Sequence, residues 1–378
     1  MNLRDKLNMM GSTKPRPRPQ PPPEAGCLTL CHTHGLREFP GGFDIDRESV
    51  MLMQGEEMPA VLDPCRILYL DTETTGFQGA GTVAFIIGAG YLRPDGFRVR
   101  QFVLRDYPEE PAQLRALEEL LADFDVLCTF NGRSFDVPLL RTRFLMNRMR
   151  PGALEKPHID LLHIARRVFR LRLRQCSLGH LEEALLQRPR DHDLPGSEAP
   201  GRFFAYLKTG DFHLLDEVLV HNEQDIASLC TLLGYMCTVY RQPEQLAFPE
   251  DVLSMGTALE RMRHPEEARR CYHLCSGRCR VQGQLRLAQS YRRSGEREEA
   301  VSVWQRMIAR REGGIQPYVE LAKHYEHRAR DVDAALDMTR RAMLLLAEPS
   351  LLDDEVTVQA RADLQKRYDR LRAKQKGT

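Results

Sequence analysis

Three short runs rich in β-formers, RILYLDTET, TVAFIIGAGYL and FRVRQFVLR, fill residues 66–105. After one further apolar run, VLCTFNG, the chain reads as mostly helical. Strands and helices need different side-chain periods, so this change of texture confines any sheet to one part of the chain. The second and third runs are joined by Arg93-Pro94-Asp95-Gly96, a turn sequence, which predicts a meander. PAQLRALEELLADF between the third and fourth runs predicts a helix, as do DVPLLRTRFLMNRM, HIDLLHIARRVFRLRL, SLGHLEEALLQ and LLDEVLVHNEQDIASLCTLLGYM beyond them. A β-β-β-α-β-α order ending in helices is that of an α/β domain with one mixed sheet flanked by helices.

From about Pro249 the texture is purely helical and weakly repetitive. LAQSYRRSGEREEAVSVWQRM and LAKHYEHRARDVDAALDMTRRAM share Leu-Ala-x-x-Tyr. In each, a later Ala is followed four residues on by Trp304 or Thr339, and seven on by Met307 or Ala342. Ala258 with Ala268, Ala288 with Ala300 and Ala322 with Ala335 mark three helical hairpins at a period of about 34 residues. An all-α helical-repeat domain like the tetratricopeptide repeats is therefore expected, whose concave face would suit a protein partner, the plain alternatives being an unrelated helical bundle or a structural cap on the sheet domain. The predicted organisation is a disordered Pro-rich arm over 1–25, an N-terminal extension over 26–60 packing on the sheet domain, and the sheet domain itself over 61–245. The helical repeats follow over 249–348 and a basic helix or tail over 349–378.

The chain has 378 residues and a formal net charge of +1, so any attraction to a polyanion must come from local clustering of Lys and Arg. No apolar run approaches the roughly 18 residues that span a bilayer, and MNLRDKLNMM lacks the apolar core of a signal peptide. A cytoplasmic protein without membrane partners is expected. Ten irregularly spaced cysteines then read as mostly buried small apolar residues rather than as a disulfide framework.

Three acidic motifs carry the chemistry. Asp71 and Glu73 end an apolar strand two residues apart, so they project from one face and can share hard divalent cations; solvent-facing turn acids are the plain alternative. Asp136 closes Asn131-Gly132-Arg133-Ser134-Phe135-Asp136, where a strand gives way to a helix, a place where an acid also simply suits the helix dipole. His221 and Asp225, four apart in a long helix, share a face, although such a pair is commonly just solvated surface.

In this order the three motifs resemble those of the DEDD exonuclease superfamily: Asp71 and Glu73 match its first motif, Asn131 and Phe135-Asp136 its second, and Asp225 its third. The likeness to the YprB-type ribonuclease-H-like branch is closer, carried by SLGHLEEALL, the loop Pro195-Gly196-Ser197-Glu198-Ala199-Pro200 and the HN-x-x-D ending; it covers about residues 60–240, with HTHGLREF weaker upstream. The resemblance implies a ribonuclease-H-like fold and a 3′–5′ exonuclease acting on DNA or RNA with two Mg²⁺ or Mn²⁺ ions. Asp71 would bridge both ions, Glu73 and Asp225 would complete one, and Asp136 would serve the other. Thr72, Thr75, Asn131, Phe135, Arg141 and Arg166 are the expected substrate contacts. One departure stands out. Histidine-subclass members carry His five residues before the last Asp, where this chain has Val220; His221 takes the position of the tyrosine subclass. His221 is expected either to act as general base or to orient the attacking water.

Residues 133–174 hold eleven Lys or Arg against three Asp or Glu. Arg141, Arg143, Arg148, Arg166, Arg167, Arg170, Arg172 and Arg174 are candidates for phosphate contacts without sequence readout, the plain alternative being a solvated helix face. Cys27, Cys31, His32 and His34, and Cys271, Cys275 and Cys279, lack closed zinc-site spacing, so buried thiols are the default. His158 and Asp160 carry no catalytic role, Asp160 reading as an early-turn acid. Competing with the exonuclease are a weak or inactive nuclease fold serving as a nucleic-acid scaffold, against which the intact carboxylates argue, and a related-fold enzyme that cuts internally, against which the superfamily motifs argue.

Overall fold

The computed structural model describes residues 26–35, 37, 39, 44–55, 57–76, 79, 81–190, 194–347 and 355–376. The expected Pro-rich arm over 1–25 lies outside them. Six strands form one sheet: β1 (Leu28–His34), β2 (Ile67–Thr74), β3 (Ala84–Arg93), β4 (Gly96–Val103), β5 (Val126–Thr129) and β6 (His158–Asp160), in the order β1-β4-β3-β2-β5-β6. The predicted meander is β2-β3-β4, antiparallel throughout, while β5 joins β2 in parallel. The strand β1, which sequence reading took as part of an extension, pairs antiparallel with β4.

Helices are α1 (Arg47–Gln54), α2 (Glu110–Leu121), α3 (Asp136–Met146), α4 (Leu161–Leu173), α5 (Ala199–Thr209) and α6 (Asp216–Arg241). They continue as α7 (Pro249–Arg261), α8 (Pro265–Leu274), α9 (Arg280–Ser294), α10 (Arg297–Ala309), α11 (Gln316–His324), α12 (Val332–Ala347) and α13 (Glu355–Lys376). The chain divides into two compact units, one drawn from Met1–Phe39, Cys65–His158 and Asp191–Leu229, the other from Pro40–Pro64, Ile159–Arg190 and Cys230–Thr378.

In the first unit, β2 sends alternate residues to opposite faces. Leu68 and Leu70, with Ile87 and Ala89 of β3, pack under Leu114 and Leu117 of α2 and Leu140 and Phe144 of α3. Phe85 and Val103 face Phe203 of α5 and Val218 and Leu219 of α6, with the rings of Phe85 and Phe203 stacked at 4.4 Å. Both faces are covered, which is why these strands read as near-continuous apolar runs. Glu73 pairs with Ile86 and Thr74 with Ala84, so Phe85 is the extra residue of a bulge beside Glu73.

Two glycines of β3 decide how closely α6 approaches. A Cβ on Gly88 would overlap the side chain of Asn222, and one on Gly90 would overlap Ile226 and Phe97. Without those methyl groups α6 seats its inward face directly on β3.

In the second unit, α4 packs on α7, and α7 with α8, α9 with α10, α11 with α12 and α12 with α13 pack as neighbours. The recurring alanines Ala258, Ala268, Ala288, Ala300, Ala322 and Ala335 are all buried, as are Trp304, Met307, Thr339 and Ala342. Asp160 caps α4, its carboxylate accepting from the Leu162 amide at 3.2 Å. Among the described residues no helix is long and apolar enough to cross a membrane.

Candidate metal centre

Asp71 sits on β2 directly opposite Gly88. The space that Gly88 leaves is filled by Asn222 of α6, fully buried, whose Nδ2 donates to Asp71 Oδ2 at 2.9 Å. Gln101 of β4 donates through Nε2 to Asn222 Oδ1 at 3.0 Å and to the Leu219 carbonyl at 2.8 Å. A relay from β4 through α6 to β2 thus fixes both the amide of Asn222 and the carboxylate of Asp71.

Glu73, two residues on, projects from the same face. One helical turn past Asn222 and His221, Asp225 reaches the same region. His221 Nε2 stands 3.6 Å from Asp225 Oδ2 and 3.9 Å from Glu73 Oε1, so the imidazole lies between two of the expected ligands. Val220, at the alternative position, is 53% exposed. A cavity of about 580 Å³ opens against His221, lined also by Pro195, Glu198, Arg202 and Glu217, with Arg202 bonded to Glu217 at 2.6 Å.

Asp136 begins α3 and is buried, its Oδ1 accepting from Thr72 Oγ1 at 2.5 Å. The loop before it turns at Asn131, in the left-handed region at φ 66°, and Gly132 packs against Thr129 too closely for a side chain. That geometry explains the Asn-Gly pair: Asn tolerates a positive φ better than most residues. The amides of Ser134 and Phe135 close onto the Asn131 carbonyl at 3.1 and 3.2 Å, which aims Asp136 at the end of β2.

The electrostatics of the cluster follow from burial and like charge. Burial, then the charges of Asp225, Asp136 and Glu73, push the Asp71 carboxyl well above the ordinary range against the opposing bond from Asn222. Burial, then Asp225 and Asp136, push Glu73 up to about 8. Such a centre favours a hard cation, which offsets several carboxylate charges at once through oxygen ligands. The donor chemistry fits Mg²⁺ or Mn²⁺. Among the described residues, however, no three His, Cys, Asp or Glu side chains stand in a ready coordination arrangement. Asp71 and Asp136 each turn one oxygen to a neutral donor, Asn222 and Thr72.

The structure gathers Asp71, Glu73, Asp136, His221 and Asp225 and puts Thr72 in contact with Asp136. Thr75 Oγ1 accepts from the Val83 amide at 3.0 Å and so closes the turn after β2. Phe135 is half-buried beside Asp136. Arg141 is exposed and 3.3 Å from Glu155; Arg166 is exposed on α4. Two members of the arginine cluster are corrected. Arg143 is buried against Glu110, with bonds of 2.5 and 2.6 Å, and Arg172 bonds Asp251 at 2.7 Å with its guanidinium 4.1 Å over Phe248. Both are structural ion pairs. Asn222, Gln101 and Gly88 were missed, the only trace being the Asn of HN-x-x-D. Of the cysteine and histidine groups, Cys271, Cys275 and Cys279 are buried, and His34 and His32 engage Glu223 at 2.7 and 3.2 Å.

The RNase_H superfamily matches residues 68–237 of the chain, which include every carboxylate of the cluster. The uncharacterized protein YprB of Bacillus subtilis (strain 168) is 32% identical over 289 residues, 73% of this chain and 69% of its own length. Among solved structures, the family B DNA polymerase of the hyperthermophilic archaeon Pyrobaculum calidifontis is similar over 55% of this chain at 17% identity and a TM-score of 0.38. The chain spans about 30% of that polymerase's length.

Proposed function

Because the chain belongs to the YprB-type ribonuclease-H-like family, we propose that it is a metal-dependent nuclease, and specifically a cytoplasmic DEDD-type exonuclease hydrolysing phosphodiester bonds from the 3′ end of nucleic acid. The observation that carries this reading is the convergence of Asp71, Glu73, Asp136 and Asp225 on one acidic centre, where burial and the charges of Asp225 and Asp136 push both Asp71 and Glu73 up. In this reading Asp71, Glu73, Asp136 and Asp225 would hold the divalent cations. A bound pair of Mg²⁺ or Mn²⁺ ions supplies an activated water and charge stabilisation for in-line displacement at phosphorus.

The protein's own groups do the rest. Asn222 and Gln101 hold Asp71 in one rotamer, and Thr72 does the same for Asp136. His221, between Glu73 and Asp225, receives the proton of the attacking water or orients that water. Thr75, Asn131, Phe135, Arg141 and Arg166 remain the proposed substrate contacts.

The test is purified protein with end-labelled single-stranded and duplex DNA and RNA, in Mn²⁺, Mg²⁺ or chelator, beside an Asp71→Asn control. A product ladder from 3′ ends that needs the metal and disappears in the control is the expected result. A ladder from 5′ ends or an internal cut sinks the 3′–5′ assignment. Binding without any cleavage points instead to the scaffold reading, and identical ladders from the control expose a contaminating nuclease.

A further inference from the structure

Within the second unit, Arg170 stands four residues from Arg166 and three from Arg167 along α4, so it neighbours both on the helix surface. Because α4 packs on α7, Arg261 from the last turn of α7 joins them at a single open cavity of about 660 Å³. Its apolar floor includes Leu253 and Ala258, and the hydroxyl of Thr257 and the amide of Gln282 line it as well.

Elsewhere several arginines are matched by an acid. Arg143 is matched to Glu110, Arg172 to Asp251, Arg190 to Glu182 and Arg270 to Glu244. Among the described residues no carboxylate pairs with Arg166, Arg170 or Arg261, and Arg167 bonds the His163 carbonyl at 3.1 Å and the Met262 sulfur at 3.0 Å. Four guanidinium groups therefore line one groove without an acidic side chain to offset them. Cations in the last turn of a helix do favour its dipole, which accounts for Arg170 and Arg261 one at a time. It does not account for their convergence from two helices.

We propose that this groove binds the sugar–phosphate backbone of nucleic acid, giving the helical unit a contact surface of its own. Guanidinium forks match phosphate oxygens bidentately, and hydroxyl and amide side chains are common phosphate partners. Among the described residues no Phe, Tyr or Trp lines the groove, so bases are not stacked there and recognition is independent of sequence. The choice of nucleic acid as the polyanion rests on the nuclease reading above; the charge of the groove does not.

The experiment uses the full chain in chelator, so that no turnover enters, with a labelled single-stranded oligonucleotide titrated at several salt concentrations. The variant Arg166→Gln/Arg170→Gln/Arg261→Gln is compared with a control set, Arg270→Gln/Arg292→Gln/Arg341→Gln, whose arginines are exposed and paired. Losing three phosphate contacts is expected to weaken binding about tenfold at low salt and to cut the slope of log K against log salt by about 2, at about 0.7 per contact on a single strand. The control set keeps the wild-type slope. Should the triple variant melt early, Arg166→Gln and Arg261→Gln singly, each expected to lower the slope by about 0.7, serve in its place. An unchanged slope, or an equal loss in the control set, overturns the proposal. So does polyglutamate that competes as well as the oligonucleotide at equal charge, because the groove would then be reading carboxylates. Asp71→Asn is expected to keep the full slope; if it abolishes binding, the groove is not an independent surface. None of these readouts depends on whether cleavage is ever observed.

Discussion

Two buried carboxylate sites, one in each unit, resolve the same electrostatic problem in opposite ways. At the end of β2, burial and the charges of Asp225 and Asp136 push Glu73 up to about 8. At Glu326, beyond α11, burial pushes in the same direction, yet hydrogen bonds from Arg370 and Lys374 of α13 outweigh it and hold the carboxyl to about 2. Arg367 adds a further bond at 2.8 Å. One buried acid is supplied with cations by the fold, whereas the other is surrounded by more acids. A site that leaves like charges together at the expense of stability is the kind expected to bind an ion or do chemistry, and a fully matched one is the kind expected to hold helices together.

That contrast can be broken at several points. The largest effect is expected at Asp225: Asp225→Asn should lower metal-dependent turnover by about 10²- to 10³-fold while nucleic-acid binding in chelator stays near wild type, measured by single-turnover cleavage and anisotropy. Equal losses of binding and turnover would place Asp225 in substrate grip instead. Next, Mn²⁺ at 100 times its Kd should stabilise the protein by about 2.7 kcal/mol in denaturant titrations, and Asp71→Asn should remove most of that gain. A metal-independent unfolding curve would show that crowding alone does not make a cation site.

Glu326→Gln should destabilise by about 1–3 kcal/mol, because Arg367, Arg370 and Lys374 lose a charged acceptor, and should leave cleavage unchanged. The pH dependences should carry opposite signs. Glu326 is held below its ordinary 4.5, so its contribution is present above that value and fades as pH falls from 4.5 toward 2; the gap between wild type and Glu326→Gln should close over that window. Glu73 is held above 4.5, so the metal-free protein should lose stability as pH rises from 4.5 through about 8, and Mn²⁺ should flatten that slope. Parallel pH profiles would mean that the two environments differ less than their neighbours suggest.

The parts legible in the sequence were those with a local pattern. Asp71 and Glu73 mark a strand end, Asp136 a helix start, and His221 and Asp225 one helical face; the meander and the helical texture after Pro249 were visible for the same reason. Local pattern failed where a partner lies far along the chain. Arg143 and Arg172 looked like a free positive field because Glu110 and Asp251 are 33 and 79 residues away, and only the fold pairs them. The strand β1, LTLCHTH, alternates too weakly to announce itself and becomes a strand by pairing with β4. Asn222 is a neutral side chain in a long helix. Its importance follows from Gly88, a residue whose relevant property is an absent atom.

The seating of α6 on β3 also bears on when the centre comes into being. Asp71 and Asn222 are 151 residues apart, and their bond forms only after the late helix has settled into the notch left by the glycine strip. A chain emerging from the ribosome carries Asp71 and Glu73 early but must wait for α6 before Asp225 and His221 join them. Any capacity to attack a polynucleotide is thereby deferred until synthesis has passed that helix, and the unfinished polypeptide lacks the complete set of acids beside its own message.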